Sequence, residues 1–180
     1  ELLAALRDAR HIVVFTGAGV SAESGVSTFR DALTGLWARF DPMQLATPEA
    51  FLADPELVWG WYEWRRQLLL NAQPNPAHHA IVKLAQSVPK LTVITQNVDD
   101  LHERAGSRDV VHLHGSIFSP RCFNCAQPYA LTSAPQMSHE QALAPPVCDS
   151  CQGMIRPGVV WFGEALPQAQ MQAAFSAAEN

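Results

Sequence analysis

The chain lacks any long apolar run. Its longest, such as Ile12-Val13-Val14-Phe15 and Leu68-Leu69-Leu70, fall far short of the roughly 20 residues that carry a helix across a bilayer, which excludes a helical membrane protein. Positive charge is scarce as well. Twelve Lys plus Arg stand against seventeen Asp plus Glu, a formal net charge of -5. Phosphate binding needs clustered cations, so this balance argues against direct nucleic-acid binding. Four cysteines in 180 residues are too few for a small fold stapled by disulfides. The N-terminus, Glu1-Leu2-Leu3 followed by Arg7, Asp8 and Arg10, lacks a signal peptide's order of basic, apolar and small residues, so a cytoplasmic location is expected. The first residue is not Met, and a few residues are expected upstream.

What is present belongs to a folded protein. Apolar residues make up 48% and charged residues 16%, a composition with enough hydrocarbon for a core and too little charge for disorder. The length suits one domain carrying a small module. Ala5 and Leu6, with Leu2 and Leu3, predict a short amphipathic helix before the β-branched strand His11 to Phe15, which stops at Thr16-Gly17. Thr47-Pro48 offers an N-cap and a first-turn proline, and Glu56 to Asn71 reads as a long aromatic helix ended by Pro74 and Pro76. Ala77 to Ser87 predicts another helix. Leu91 to Thr95, Asp109 to Leu113 and Gly158 to Phe162 read as three further strands. Strands alternating with helices predict an α/β fold with a mostly parallel sheet. Phe118 to Arg156, rich in Pro, Ser, Gln and Cys, breaks the pattern and reads as an inserted module. The expected division is 1–117 with 157–180 for the main domain and 118–156 for the insert.

Three constellations carry chemistry. Gly17, Gly19 and Ala22 fit G-x-G-x-x-A directly after a strand, where backbone N–H groups can approach a pyrophosphate; a plain tight turn is the alternative. A dehydrogenase would also need a second strand ending in an acid about 20 residues on, and Arg30 to Trp37 offers no such strand. Cys122-x-x-Cys125 and Cys148-x-x-Cys151 suit a closed four-thiolate zinc site with no position left for a reacting water. Two disulfides, or a redox-active pair, are the alternatives. Finally, Gln96-Asn97-Val98-Asp99 and His112-Leu113-His114-Gly115 stand at the ends of successive strands, so an amide, a carboxylate and an imidazole converge. His114 is the candidate general base because Gly115 leaves room beside its ring. His11, His78, His79, His102, His112 and His139 are assigned structural places.

The stretches Gly17 to Arg30, Thr95 to His102, His114-Gly115-Ser116, the paired Cys-x-x-Cys and Val159 to Glu164 resemble, in order and spacing, the sirtuins, NAD-dependent protein-lysine deacylases. The resemblance runs from about His11 to Glu164. It implies a Rossmann-like sheet with an inserted zinc-binding module and one structural Zn²⁺. NAD, consumed as co-substrate, would meet Gly17, Ala18, Gly19, Ser21, Glu23, Ser24, Thr28, Phe29, Arg30 and Trp37, with Gln96, Asn97, Val98 and Asp99 orienting ribose and carboxamide. His114 matches the family's base. Val160, Phe162 and Gly163 would pair through their backbone with an extended acylated peptide. The products would be nicotinamide, O-acyl-ADP-ribose and free lysine.

Within Trp61-Tyr62-Glu63-Trp64-Arg65-Arg66, Tyr62 and Arg65 share a helix face. With Ala46 they are similar to the acyl pocket of sirtuins that remove succinyl, malonyl or glutaryl groups. The alternative is an amphipathic helix with Trp61, Trp64 and Leu68 inside and Arg65 and Arg66 in solvent. Ser27 departs from the family's usual proline. The family also continues past Phe-Gly-Glu with strands that seat the adenosine, so the C-terminal part of the fold is expected to be missing here and NAD to bind this stretch alone poorly. A non-catalytic acyl-lysine or ADP-ribose binding module and an NAD-dependent protein ADP-ribosyltransferase stay open as alternatives.

Overall fold

The computed structural model describes residues 5, 6, 8–26, 45–131 and 141–179. Leu2, Leu3, Ser27 and His139 lie outside them. Ala5, Leu6 and Asp8 are helical, as the apolar pattern predicts. The β-branched runs then form three parallel strands, β1 His11–Thr16, β2 Lys90–Thr95 and β3 Val110–His112, in the order β1-β2-β3. Thr16 pairs with Thr95, and Thr95 with His112. The carboxyl ends of all three strands therefore lie side by side.

Caps fix where the helices begin. After a single turn, α1 Gly19–Ala22, come α2 Pro48–Ala53 and α3 Pro55–Asn71. Thr47 and Asp54 accept N–H groups of their first turns, and each helix opens with proline, whose missing N–H costs nothing there. Pro76 does not merely end α3; it is the first residue of α4 Pro76–Ala85, behind an Asn75–His78 capping box. α5 Leu101–Ala105 stops at left-handed Gly106. α6 Gln168–Glu179 lays Met171, Ala174 and Ala177 on Val13, Ile94 and Val111 of the sheet.

Gly158 to Phe162 is not the fourth strand that its apolar run predicts. Only the bridge between Gly115 and Val159 forms. Val160 donates to the His114 carbonyl while Phe162 donates to that of Ala46. Two separate segments thus take alternate N–H groups, and no ladder can propagate. The insert carries its own short antiparallel pair, β4 Arg121–Cys122 and β5 Ile155–Arg156.

The larger core lies away from the sheet. Leu45, Phe51, Val58 and Trp61 from the helical layer meet Ile117, Cys122, Ile155 and Trp161 from the insert and its flank. Phe51 lies 5.5 Å from Phe123 and 5.4 Å from Trp161, ring centre to ring centre. Helices α2 and α3 and the insert are thereby fused into one wall beside the strand ends.

Gly115 sits at the join of wall and sheet with φ of 73°, and a Cβ there would drive into the Gly158 carbonyl. Left-handed backbone alone costs a residue with a side chain roughly 1–2 kcal/mol. Gly115→Ala should therefore lower Tm by at least about 2 °C in a thermal melt followed by circular dichroism; an unchanged Tm would contradict this account of the join.

Candidate functional site

The turns after β1 and β2 are tied together by buried polar groups. Ser21 Oγ donates to Asp99 Oδ2 at 3.0 Å and accepts Asn97 Nδ2 at 3.0 Å. Asp99 uses its other oxygen to accept the Leu101 N–H at the head of α5. Among the described residues, a Cβ on Gly17 would make only ordinary contact with Gln96, and one on Gly19 would meet nothing within 4 Å. Glycines so placed at the end of a parallel strand fit a ligand that approaches the backbone closely.

Asn75 holds this turn from behind. Its buried amide donates to the Val20 carbonyl at 2.7 Å and to Ser24 Oγ at 3.0 Å, while its oxygen caps α4. The Asn-Pro pair signals a helix start but gives no sign of this reach across 55 positions. Glu23 is exposed, and Ser24 faces Asn75. Thr28, Phe29, Arg30 and Trp37 lie outside the described residues.

Two imidazoles grip consecutive carbonyls. His114 Nδ1 lies 3.0 Å from the Gln96 carbonyl and His112 Nδ1 lies 3.1 Å from that of Asn97. A carbonyl only accepts, so both Nδ1 atoms carry a proton. His114 in its neutral form is left with a basic Nε2. His112 Nε2 instead meets Glu103 at 2.6 Å. Burial favours the neutral ring, but the Glu103 carboxylate and the Asn97 carbonyl, with Asp99 nearby, outweigh it and raise the His112 pKa above its ordinary value. His78 and His102 are buried in edge contact at 4.9 Å between ring centres, and burial lowers the pKa of each. His11 is bonded to Thr92, and His79 is exposed.

A cavity of about 500 Å³ joins these parts. Ala18, Ser21, Gln96, Asn97, Val98, Asp99 and His114 line it. Ala46, Tyr62, Arg65, Val160, Phe162 and Gly163 line it too. Thirteen of the residues singled out from the sequence are thus gathered in one space. Val26, Leu69, Val159, Trp161, Glu164 and Leu166 also line it and had been given no role. Val26, Val159, Trp161 and Glu164 stood inside recognised motifs, whereas Leu69 and Leu166 carry no local signal.

The amphipathic alternative for α3 does not describe the helix. Arg65 and Arg66 are buried, and Leu68 is 47% exposed. Arg66 pairs with Glu63 on the same helix, whereas Arg65 stands on the cavity wall beside Tyr62. Burial pushes the Tyr62 phenol well up, so it stays protonated, and lowers the Arg65 guanidinium from its usual value. A buried cation next to a hydroxyl donor suits an anionic group.

The four cysteines form a second centre. All four Sγ atoms lie within 4.8 Å of one another, with Cys122 to Cys151 at 3.4 Å and Cys125 to Cys148 at 3.8 Å. A disulfide needs about 2.05 Å, whereas a tetrahedral zinc with bonds of about 2.3 Å spaces its sulfurs by about 3.8 Å. The backbone N–H groups of Cys125 and Asn124 lower the Cys122 pKa to about 6. At Cys151 the Gly153 N–H pulls the same way, but crowding by Cys122 and Cys125 prevails and raises the thiol to about 12. Four thiolates this close need a cation, and the donor set fits Zn²⁺.

Two outcomes follow from this geometry. The purified protein should carry one zinc per chain by elemental analysis, and Cys148→Ser should release it and unfold the β4–β5 region; full retention of metal would refute the four-sulfur site. His112, with its raised pKa, adds stability that is complete below 6.5 and is lost as pH climbs through the raised value, while Glu103, with its lowered pKa, adds stability present above 4.5 and lost as pH falls. The difference in Tm between the unaltered protein and His112→Gln should therefore shrink as pH rises beyond neutrality. A pH-independent difference would show that the pair is not ionised as argued.

Comparison with known proteins places this geometry in a family. Residues 17–180 match the model of the Sir2 family. An NAD-dependent protein deacylase of Methylococcus capsulatus is 62% identical over 182 residues, covering 100% of this chain and 71% of that protein. NAD-dependent protein deacylase 1 of Pseudomonas aeruginosa is 61% identical over 180 residues, covering 99% and 71%. Among solved structures, a Sir2 homologue in complex with NAD superposes with a TM-score of 0.84 at 48% identity, over 99% of this chain and 67% of the other. A mutant Sir2 homologue in complex with 2′-O-acetyl-ADP-ribose gives 0.86 at 48% identity, over 99% and 70%. By this family match and these close relatives, the chain belongs to the Sir2 family, the sirtuins.

Proposed function

We propose that the protein removes acyl groups from protein lysines at the expense of NAD, with a pocket suited to acidic acyl chains. When bound, NAD supplies the ADP-ribosyl group that accepts the acyl chain, so that nicotinamide, O-acyl-ADP-ribose and free lysine are the products. The observation that carries the reading is the hydrogen bond from His114 Nδ1 to the Gln96 carbonyl. It fixes the tautomer and leaves Nε2 able to take a proton from a hydroxyl in the cavity. Ser21, Asn97 and Asp99, locked to one another, give a ribose and a carboxamide a rigid polar surface. The Gly17–Gly19 backbone offers the pyrophosphate close approach.

The acyl chain enters past Ala46, whose small side chain leaves width. Tyr62 and Arg65 receive its far end, the phenol as donor and the guanidinium as a fork. A substrate peptide laid along Val160 to Gly163 meets the segment's carbonyl side, because the N–H groups of Val160, Trp161 and Phe162 go to His114, Glu164 and Ala46. Such backbone pairing admits varied side chains.

The test is mass spectrometry of one peptide, in succinyl-lysine and acetyl-lysine versions, incubated with the protein and NAD. Nicotinamide release with free lysine is expected. Label left on protein would point to ADP-ribosyl transfer, and no release to a binding module. A charge-assisted hydrogen bond is worth roughly 1.5–3 kcal/mol, so Arg65→Met should cut kcat/KM on the succinyl peptide about tenfold to a hundredfold and on the acetyl peptide far less. Equal losses on both would end the acidic-pocket reading.

A further inference from the structure

The Tyr62 hydroxyl has one proton and can both give and accept. An indole N–H can only give. Trp161 Nε1 lies 2.9 Å from Tyr62 Oη, with both residues buried, so at this contact the phenol oxygen is the acceptor. Among the described residues the hydroxyl makes no other hydrogen bond. Its own proton must therefore turn away from the indole, and the open side of Tyr62 is the cavity it shares with Arg65. Burial keeps the phenol protonated.

The indole is itself held firmly. Its backbone N–H donates to Glu164 Oε2 at 2.8 Å. Arg156 lies over its ring at 3.6 Å from the centroid, bonds both Glu164 oxygens and gives Nη2 to the Val159 carbonyl at 3.0 Å. Phe51 packs against it at 5.4 Å. Strand β5 of the insert thus fixes a donor that reaches α3 across 99 positions.

We infer that Trp161 is a positioning residue for acyl specificity: by making Tyr62 accept, it aims the phenolic proton at the carboxylate of an acidic acyl chain. A relay in which each donor polarises the next also strengthens the final bond. An acetyl group has no carboxylate to receive that proton, so the relay discriminates between acyl chains. This inference rests on the acidic-pocket reading above.

The experiment compares kcat and KM for succinyl and acetyl versions of one peptide in the unaltered full chain, Trp161→Phe, Tyr62→Phe and the double variant. Loss of one uncharged hydrogen-bond relay corresponds to about fivefold. Trp161→Phe should lower the succinyl-to-acetyl ratio of kcat/KM by about that factor, chiefly through KM for the succinyl peptide. In the Tyr62→Phe background the same change should leave the ratio where it is. A loss of equal size in both backgrounds, or none in either, overturns the inference while leaving the pocket standing. If Tyr62→Phe itself leaves the ratio unchanged, the pocket reading falls and the inference with it. Should Trp161→Phe fold poorly, benzothienylalanine at position 161 alone keeps the ring shape without the N–H, and the same two outcomes apply.

Discussion

Parallel pairing in register is the constraint on which the site depends. Because Thr16, Thr95 and His112 are lateral neighbours, the turns that follow them have no choice but to crowd together. A glycine turn, an amide–carboxylate segment and an imidazole then face one another without any of them being long or flexible. A slip of one residue would invert every side chain on the displaced strand, sending Thr95 and the side chains that pack against α6 to the wrong face. Hydrocarbon on the sheet thereby enforces the position of the polar groups at its edge.

The opposite wall is built by different physics. The Arg156–Glu164 pair, its guanidinium buried and its carboxylate half-buried, is a costly arrangement unless each charge is fully engaged. Here it is: the guanidinium spans a carboxylate, a carbonyl and two aromatic rings, and the carboxylate also receives a backbone N–H. The effect is to freeze the loop from Val159 to Glu164 in an irregular path that regular strand pairing could not produce. A zinc ion held by Cys122, Cys125, Cys148 and Cys151 would leave no position for a substrate and would contribute order rather than chemistry. The ion pair holds one side of the cleft while the parallel sheet holds the other.

Much of this was legible in the chain because the signals are local. β-branched runs announced β1 and β2, proline with a capping residue announced α2, and cysteine spacing announced a candidate metal site. His114 could be separated from six other histidines because a glycine followed it at a strand end. Gly158 to Phe162 misled because an apolar run specifies burial but not partners, and here alternate N–H groups go to two unrelated segments. The amphipathic alternative for α3 failed for a related cause: whether Arg65 and Arg66 are buried depends on what lies opposite the helix, and helical periodicity does not report that.

The sequence by itself determined the element types, the family motifs and the chemistry available at each strand end, since these follow from neighbours a few residues apart. Only the tertiary structure decided that Asn75 braces the glycine turn, that His112 is paired with Glu103, and that Trp161 donates to Tyr62. Those contacts join residues 55, 9 and 99 positions apart. Side chains so separated meet only once the sheet, the helical layer and the insert have been packed, and their hydrogen bonds carry direction that no pattern of residue types encodes.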